Sequence, residues 1–167
     1  GAWFYADPPS ASPIRHDNYH TGFILDALLR YARATGDGEP MAAWRRGLAF
    51  YEERLFDPNG APRWQSHQAY PRDVHGSAQG ILTFSRAASI EARHLATAQR
   101  LARWAVDHLF LPEEGRFLYQ RGRFLDRRFT LMRWCQAWMA RALAALAEAS
   151  RNETATASGS PGPRTGA

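Results

Sequence analysis

Arg72-Asp73-Val74-His75-Gly76-Ser77-Ala78-Gln79-Gly80 opens an apolar helical pattern, and matching openings stand 56 residues earlier at Asp17 and 57 residues later at Thr130. Asp and Thr side chains accept hydrogen bonds from the free N–H groups of a helix's first turn, so all three positions suit an N-cap. The helices they begin carry apolar residues at offsets that match to within one residue: Ile24 and Leu28, Ile81 and Phe84, Trp138 and Ala142. The connectors repeat too. Leu55-Phe56-Asp57-Pro58-Asn59-Gly60 matches Leu109-Phe110-Leu111-Pro112-Glu113-Glu114-Gly115 with one inserted residue. A period near 55 residues accommodates one helical hairpin and a sizeable loop. The expectation is an all-α chain of helical hairpin repeats whose loops gather on one rim.

With 167 residues, 45% hydrophobic and 13% aromatic, the chain can bury a core and reads as one domain. No apolar run is long enough for a membrane span, and no basic-then-apolar leader opens it. It begins at Gly1 without methionine and reads as a fragment or a processed product. All 21 basic residues are Arg, which excludes lysine Schiff-base chemistry and the P-loop lysine. The Arg residues are spread along the chain instead of gathering on one element, so a nucleic-acid partner is not expected. Cys135 is the sole cysteine, which excludes an internal disulfide or a multi-cysteine zinc site; among Trp134, Ala137 and Trp138 it reads as a buried, inert thiol. With no leader and one thiol, the expected compartment is the cytoplasm.

Residues 1–16, rich in Pro, read as a loop. Helices are expected over Asp17–Thr35, with Phe23, Ile24, Ala27, Leu28 and Tyr31 on one face and Gly36 as the stop, and from beyond Pro40 to Leu55, with Trp44, Leu48, Tyr51 and Leu55 on one face. The Phe56–Arg72 connection is long for a compact domain and holds Trp64, His67 and Tyr70, which marks it as a functional loop. Further helices are expected over Asp73–Ala88, Glu91–Phe110 and Thr130–Ala149. A short β-hairpin is expected with Phe117-Leu118-Tyr119 and Arg123-Phe124-Leu125 around Gln120-Arg121-Gly122. Residues 1–150 form the domain, and 151–167 a disordered tail. Five helices make two and a half hairpins, an incomplete array whose neighbours lie elsewhere, with a missing N-terminal half of the same array as the expected partner.

Arg15-His16-Asp17-Asn18-Tyr19-His20-Thr21-Gly22-Phe23 followed by Tyr70-Pro71-Arg72-Asp73-Val74-His75 resembles bacterial proteins of the six-hairpin (α/α)-toroid superfamily, which includes glycosidases, uronate epimerases and lyases, some tied to polysaccharide biosynthesis. The resemblance covers about residues 1–150, as the C-terminal three hairpins. It implies part of a helical barrel whose rim loops bind a saccharide. Neither motif contains the glutamate that many toroid glycosidases use as acid.

Asp17 and Asp73 are candidates for the acid and base of glycoside cleavage, with N-capping as the plain alternative. His20 and His75 follow them in the first helical turn, where the macrodipole disfavours imidazolium, so each suits a neutral base; each can also simply pack. His16 and His20 have a spacing compatible with a metal, yet no third ligand is marked, so no metal and no cofactor are expected. Arg15, Arg72, Arg127 and Arg128 precede helix starts and Arg133 lies in the last helix's first turn; together they would form a basic mouth for an acidic ligand, against a plain solvated surface. Trp3, Tyr5, Trp64, Tyr70 and Tyr119 offer loop aromatic faces for sugar stacking, or plugs for the helical array. Trp44, Trp104, Trp134 and Trp138 read as core. Gly22, Gly76 and Gly80 read as close-packing sites, and Glu52, Glu53, Glu91 and Glu148 as solvent-face residues.

Function is therefore expected to be carbohydrate-active: binding an oligo- or polysaccharide, by preference an acidic one, in a rim groove. The reaction would be either glycoside cleavage by Asp17 and Asp73, or proton abstraction beside a uronate carboxylate. In the second, His20, His75 or Tyr70 is the base and Arg72 or Arg133 neutralises the acid. A non-catalytic helical-repeat scaffold binding glycan or protein is the alternative. An isoprenoid-binding toroid would need an apolar central cavity lined by aromatics.

Overall fold

The computed structural model describes residues 1–158. Its five helices are α1 (Asn18–Thr35), α2 (Gly38–Leu55), α3 (Val74–Ala87), α4 (Arg93–Leu109) and α5 (Trp138–Ser158). α1 packs on α2 and α3 on α4 as hairpins, and α1, α3 and α5 stand side by side with α3 in the middle. This is the expected all-α hairpin array. Among the described residues, no helix is long and apolar enough to cross a membrane.

Local chemistry accounts for the helix ends. Asp17 Oδ1 accepts from the His20 N–H at 2.8 Å, and Asp73 Oδ1 accepts from the N–H groups of His75 and Gly76, at 2.7 and 3.2 Å. Each bond satisfies a donor that the helix geometry leaves unpaired. Gly36 closes α1 in the left-handed conformation at φ 73°. α2 starts earlier than expected: Asp37 caps it through the Glu39 N–H, so Gly38 and Pro40 fall within the first turn, where proline is tolerated.

The core lies where the hairpins meet. Trp44, Leu48, Tyr51 and Leu55 are all buried, as their spacing demanded. α1 buries Leu25, Leu29 and Ala32 instead of the expected Phe23, Ala27 and Tyr31 face; Tyr31 is 56% exposed. The helix has two apolar stripes, and the leucine stripe is the one that meets its neighbours. Gly22 and Gly80 are packing sites: an added Cβ would lie 2.4 Å from Gln79 Cγ and 2.4 Å from Phe56 Cζ respectively. Tyr51, fully buried, donates to Asn18 Oδ1 at 2.9 Å, and Asn18 Nδ2 donates to the Leu55 carbonyl at 2.8 Å. Tyr51→Phe strands the Asn18 oxygen and is expected to lower stability by about 1.5 kcal/mol, read from urea midpoints.

Three expectations are corrected. The hairpin joins β2 (Phe110–Leu111) to β3 (Arg116–Phe117) around a 3-10 turn at Pro112–Glu114, with Phe110 opposite Phe117. Gln120–Arg121, expected in a turn, is instead a strand, β4, which pairs antiparallel with β1 (Arg72–Asp73), so that Asp73 faces Gln120. Phe124 and Leu125 are 91% and 82% exposed. Thr130 does not cap the last helix: it donates to the Phe117 carbonyl and accepts from Gln136 Nε2, and a π-helical segment, Met132–Ala137, leads into α5. α5 itself runs to Ser158, past the point where a tail was expected to begin; residues 159–167 lie outside the described residues.

On the outer side, Glu52 accepts from Thr97 at 2.7 Å and Arg45 pairs with Glu91, so these two acids tie α2 to the α4 side instead of merely facing water. Cys135 is buried and free, and burial raises its thiol pKa, which leaves it inert as expected.

Candidate functional site

The helix starts of α1 and α3 and the π-helical entry to α5 converge, and their side chains form one aromatic cluster around two histidines. His75 is 4% exposed. Tyr19 stacks on it at 4.9 Å with 17° between planes, Trp134 approaches at 4.7 Å and Trp138 stands perpendicular at 5.3 Å. His20, whose side chain is 39% exposed, lies against the opposite neighbour of the cluster: its ring is 4.3 Å from Tyr19 and 5.0 Å from Tyr5. Tyr19 therefore contacts both imidazoles.

The two histidines are held differently. His20 Nδ1 donates to Asp17 Oδ2 at 2.5 Å, while the other oxygen of the same buried carboxylate caps the helix. Asp17 is thus cap and orienting partner at once. A carboxylate on Nδ1 selects the Nδ1–H tautomer and leaves the Nε2 lone pair pointing away from Asp17. Among the described residues no carboxylate bonds the His75 ring; burial, then the nearby His20, push its pKa down to about 4. It is a neutral imidazole at physiological pH.

Asp73 plays a different part from Asp17. It is 6% exposed, and its second oxygen accepts from Gln120 Nε2 at 2.7 Å in addition to the two capping bonds. Burial raises its pKa, against the pull of those bonds. The carboxylate anchors the β1–β4 ladder beneath the site. Arg72 is also internal: Nη2 donates to Asp57 Oδ2 at 2.5 Å, Nη1 to the Pro62 carbonyl at 2.8 Å, and the Tyr70 ring covers its guanidinium at 4.7 Å. The expected basic mouth is accordingly thinner than its count of arginines. Arg127 donates to Gln120 Oε1 and Arg128 reaches Glu114, while Arg15 and Arg133 are exposed.

Of the expected sugar-stacking aromatics, Tyr5 joins the cluster at His20. Tyr119 is half-buried beside Phe129, with its carbonyl accepting from the Val74 N–H. Trp3 packs into the core, against Gly47. Trp64 is half-buried in the Phe56–Arg72 loop, and Tyr70 belongs to the Arg72 cover. Residues read as core instead line the site: Trp134 is 49% exposed, Phe23 is 36% exposed, and Trp138 is half-buried. Their spacing held the signal. Tyr19 and Phe23, like Trp134 and Trp138, are four apart, so each pair occupies one helical face beside a histidine. Among the described residues, no group of three His, Cys, Asp or Glu is placed to hold a metal ion. A cavity of about 820 Å³ opens at the other end of α3, lined by Leu82, Ser85, Arg86, Arg141 and Glu148 among others. Its lining includes neither His20 nor His75.

The architecture has solved counterparts. The chain superposes on the crystal structure of a D-mannose isomerase with a TM-score of 0.71 at 16% identity, covering 92% of this chain and 42% of that one. It superposes on cellobiose 2-epimerase from Bacillus thermoamylovorans B4167 with a TM-score of 0.68 at 14% identity, covering 83% of this chain and 40% of that one. The chain has the fold of part of a six-hairpin (α/α) toroid. This toroid segment spans about two-fifths of the length of each of these two structures. No protein-family model and no curated protein matches its sequence.

Proposed function

We propose that the toroid segment contributes a sugar-converting site in which His20 and His75 move a proton at a carbon beside a sugar carbonyl. The observation that carries this is the pair itself: two imidazoles from two helix starts, one oriented by Asp17 and one held neutral by burial, flank the Tyr19 ring. In an open-chain aldose the C1 carbonyl acidifies the C2–H bond. One imidazole takes that proton and the bond's electron pair passes into an enediolate. Return of a proton to the other face of C2 inverts it; return to C1, with the C2 hydroxyl proton passing to O1, gives the ketose. General acid–base groups are effective here when their pKa lies near or below the working pH and they sit within reach of the carbon acid. The two fold neighbours are named for reactions of this kind, an isomerisation and a 2-epimerisation.

Glycoside cleavage is the weaker reading because it needs two available carboxylates, and Asp73 is buried with three hydrogen bonds. The uronate version loses one of its two candidate cations, because Arg72 is committed to Asp57 and Pro62 and only the exposed Arg133 is left to meet a carboxylate. A neutral aldose fits better: the rings of Tyr5, Tyr19 and Trp134 supply faces for its C–H groups. The test is proton exchange in D2O, followed by ¹H NMR, with the natural full-length protein and mannose, glucose, cellobiose and glucuronate as probes. Loss of the C2–H signal from a neutral aldose is the expected result. A folded protein that exchanges no C2–H in any of these sugars overturns the proposal.

A further inference from the structure

Beneath the histidine cluster lies a polar network that the proton chemistry does not itself use. Gln79 is fully buried on α3, one turn below His75, and both ends of its amide are engaged. Its Oε1 accepts from Trp138 Nε1 of α5 at 3.2 Å, and its Nε2 donates to Thr83 Oγ1 at 2.9 Å and to Asp26 Oδ2 of α1 at 3.2 Å. Thr83 donates onward to Asp26 Oδ1 at 3.2 Å, and Arg86 pairs with Asp26 Oδ2 at 2.5 Å. One amide thus joins the three side-by-side helices. Gly22 of α1 leaves the space it occupies, since a Cβ there would fall 2.4 Å from Gln79 Cγ. An apolar residue would fill the same volume without any of these bonds, and a buried amide is tolerated only when its groups are paired.

We propose that Gln79 is a positioning residue for the histidine site: anchored by Asp26 and Thr83, it holds the Trp138 indole upright against the His75 ring. This deepens the proton-transfer reading and rests on it for its meaning, although the contacts themselves do not require a sugar. An indole fixed by its N–H cannot swing away from the imidazole, and the perpendicular wall it forms keeps water from one side of His75. The other groups facing His75 are Tyr19, His20 and Phe23 from α1, Asp73 at its own helix start and Trp134 from the π-helical segment; Arg141 stacks on Trp138 at 4.7 Å. Removing the Gln79 amide keeps all of these side chains and takes away the indole's partner; Asp26 loses one donor but keeps Thr83 and Arg86.

The experiment is NMR of the natural full-length protein without sugar, reading the His75 imidazole titration and the solvent exchange of the Trp138 indole N–H. In Gln79→Met the His75 midpoint is expected to climb by about one pH unit toward 6.5 as water gains access, with faster indole N–H exchange. Thr83→Val conserves shape and leaves both the Gln79 side chain and the Trp138 bond in place, removing the hydroxyl that accepts from Gln79 and donates to Asp26; it is the milder variant and is expected to shift both readouts in the same direction by less. A lower melting temperature with an unmoved His75 midpoint and indole exchange, in either folded variant, overturns the proposal and makes Gln79 a purely structural amide. Because no turnover is measured, failure here is separable from failure of the sugar reading: the aldose exchange test decides that one alone.

Discussion

His75→Gln and His20→Gln are each expected to slow C2–H exchange by roughly 10²- to 10⁴-fold, the range that a positioned acid–base group contributes. Both variants retain an amide of similar size. His20→Gln keeps the α1 cap, because that bond uses the His20 backbone N–H, and His75→Gln likewise leaves its N–H on Asp73. The helical circular-dichroism signal should therefore be retained. His108→Gln is the control: its ring stacks on Trp104 at 4.7 Å on α4, away from the cluster, and the variant should exchange at the wild-type rate. The double variant should be no slower than the worse single one if the two imidazoles serve one proton path. Single variants that retain more than a tenth of wild-type exchange would remove both histidines from the chemistry.

Stability is expected to fall by about 2.5 kcal/mol between pH 7.5 and pH 4.5 on account of His75 alone. In the folded chain this imidazole titrates near 4, and in the unfolded chain near the ordinary value of about 6.5. Between those values the unfolded state holds a proton that the folded state refuses. Acidification through that window therefore favours unfolding, and the contribution is fully present only above about 6.5. Burial lowers His16 and His94 in the same sense, while it raises Asp26 and Asp73 and so opposes them. All four remain in His75→Gln. Urea unfolding at several pH values should thus show a shallower dependence in that variant by the stated amount, and parallel curves would mean that His75 titrates normally.

Much of the fold was legible because its determinants are local. Asp17 and Asp73 announce helix starts through bonds to residues two or three positions away, and Gly36 announces a stop through its own left-handed geometry. Trp44, Leu48, Tyr51 and Leu55 repeat at helical spacing, and such spacing has one stable outcome, a face buried against a neighbour. His20 and His75 could be placed on the rim for the same reason, since the first turn of a helix is where its loop end lies.

The remainder depended on partners distant in the chain. Thr130 shares the phase of the two aspartates, yet its hydroxyl is taken by Phe117 and Gln136, so a repeat in spacing did not become a repeat in structure. Arg72 reads as a rim cation until Asp57, fifteen residues away, folds back to pair with it. Phe110 rather than Phe124 proved to be the strand partner, because pairing follows the turn at Gly115 and not the apolar pattern alone. Phe23, Trp134 and Trp138 show the limit most clearly. An aromatic on a helix is apolar whether it faces a core or a ligand, and only the side-by-side placement of α1, α3 and α5 brings these rings around His75. By itself the sequence determined helices, caps and the rim that holds two histidines. Tertiary structure alone decided which carboxylate orients a histidine and which is consumed as an anchor, because that depends on whether Gln120 arrives at Asp73 across a strand ladder.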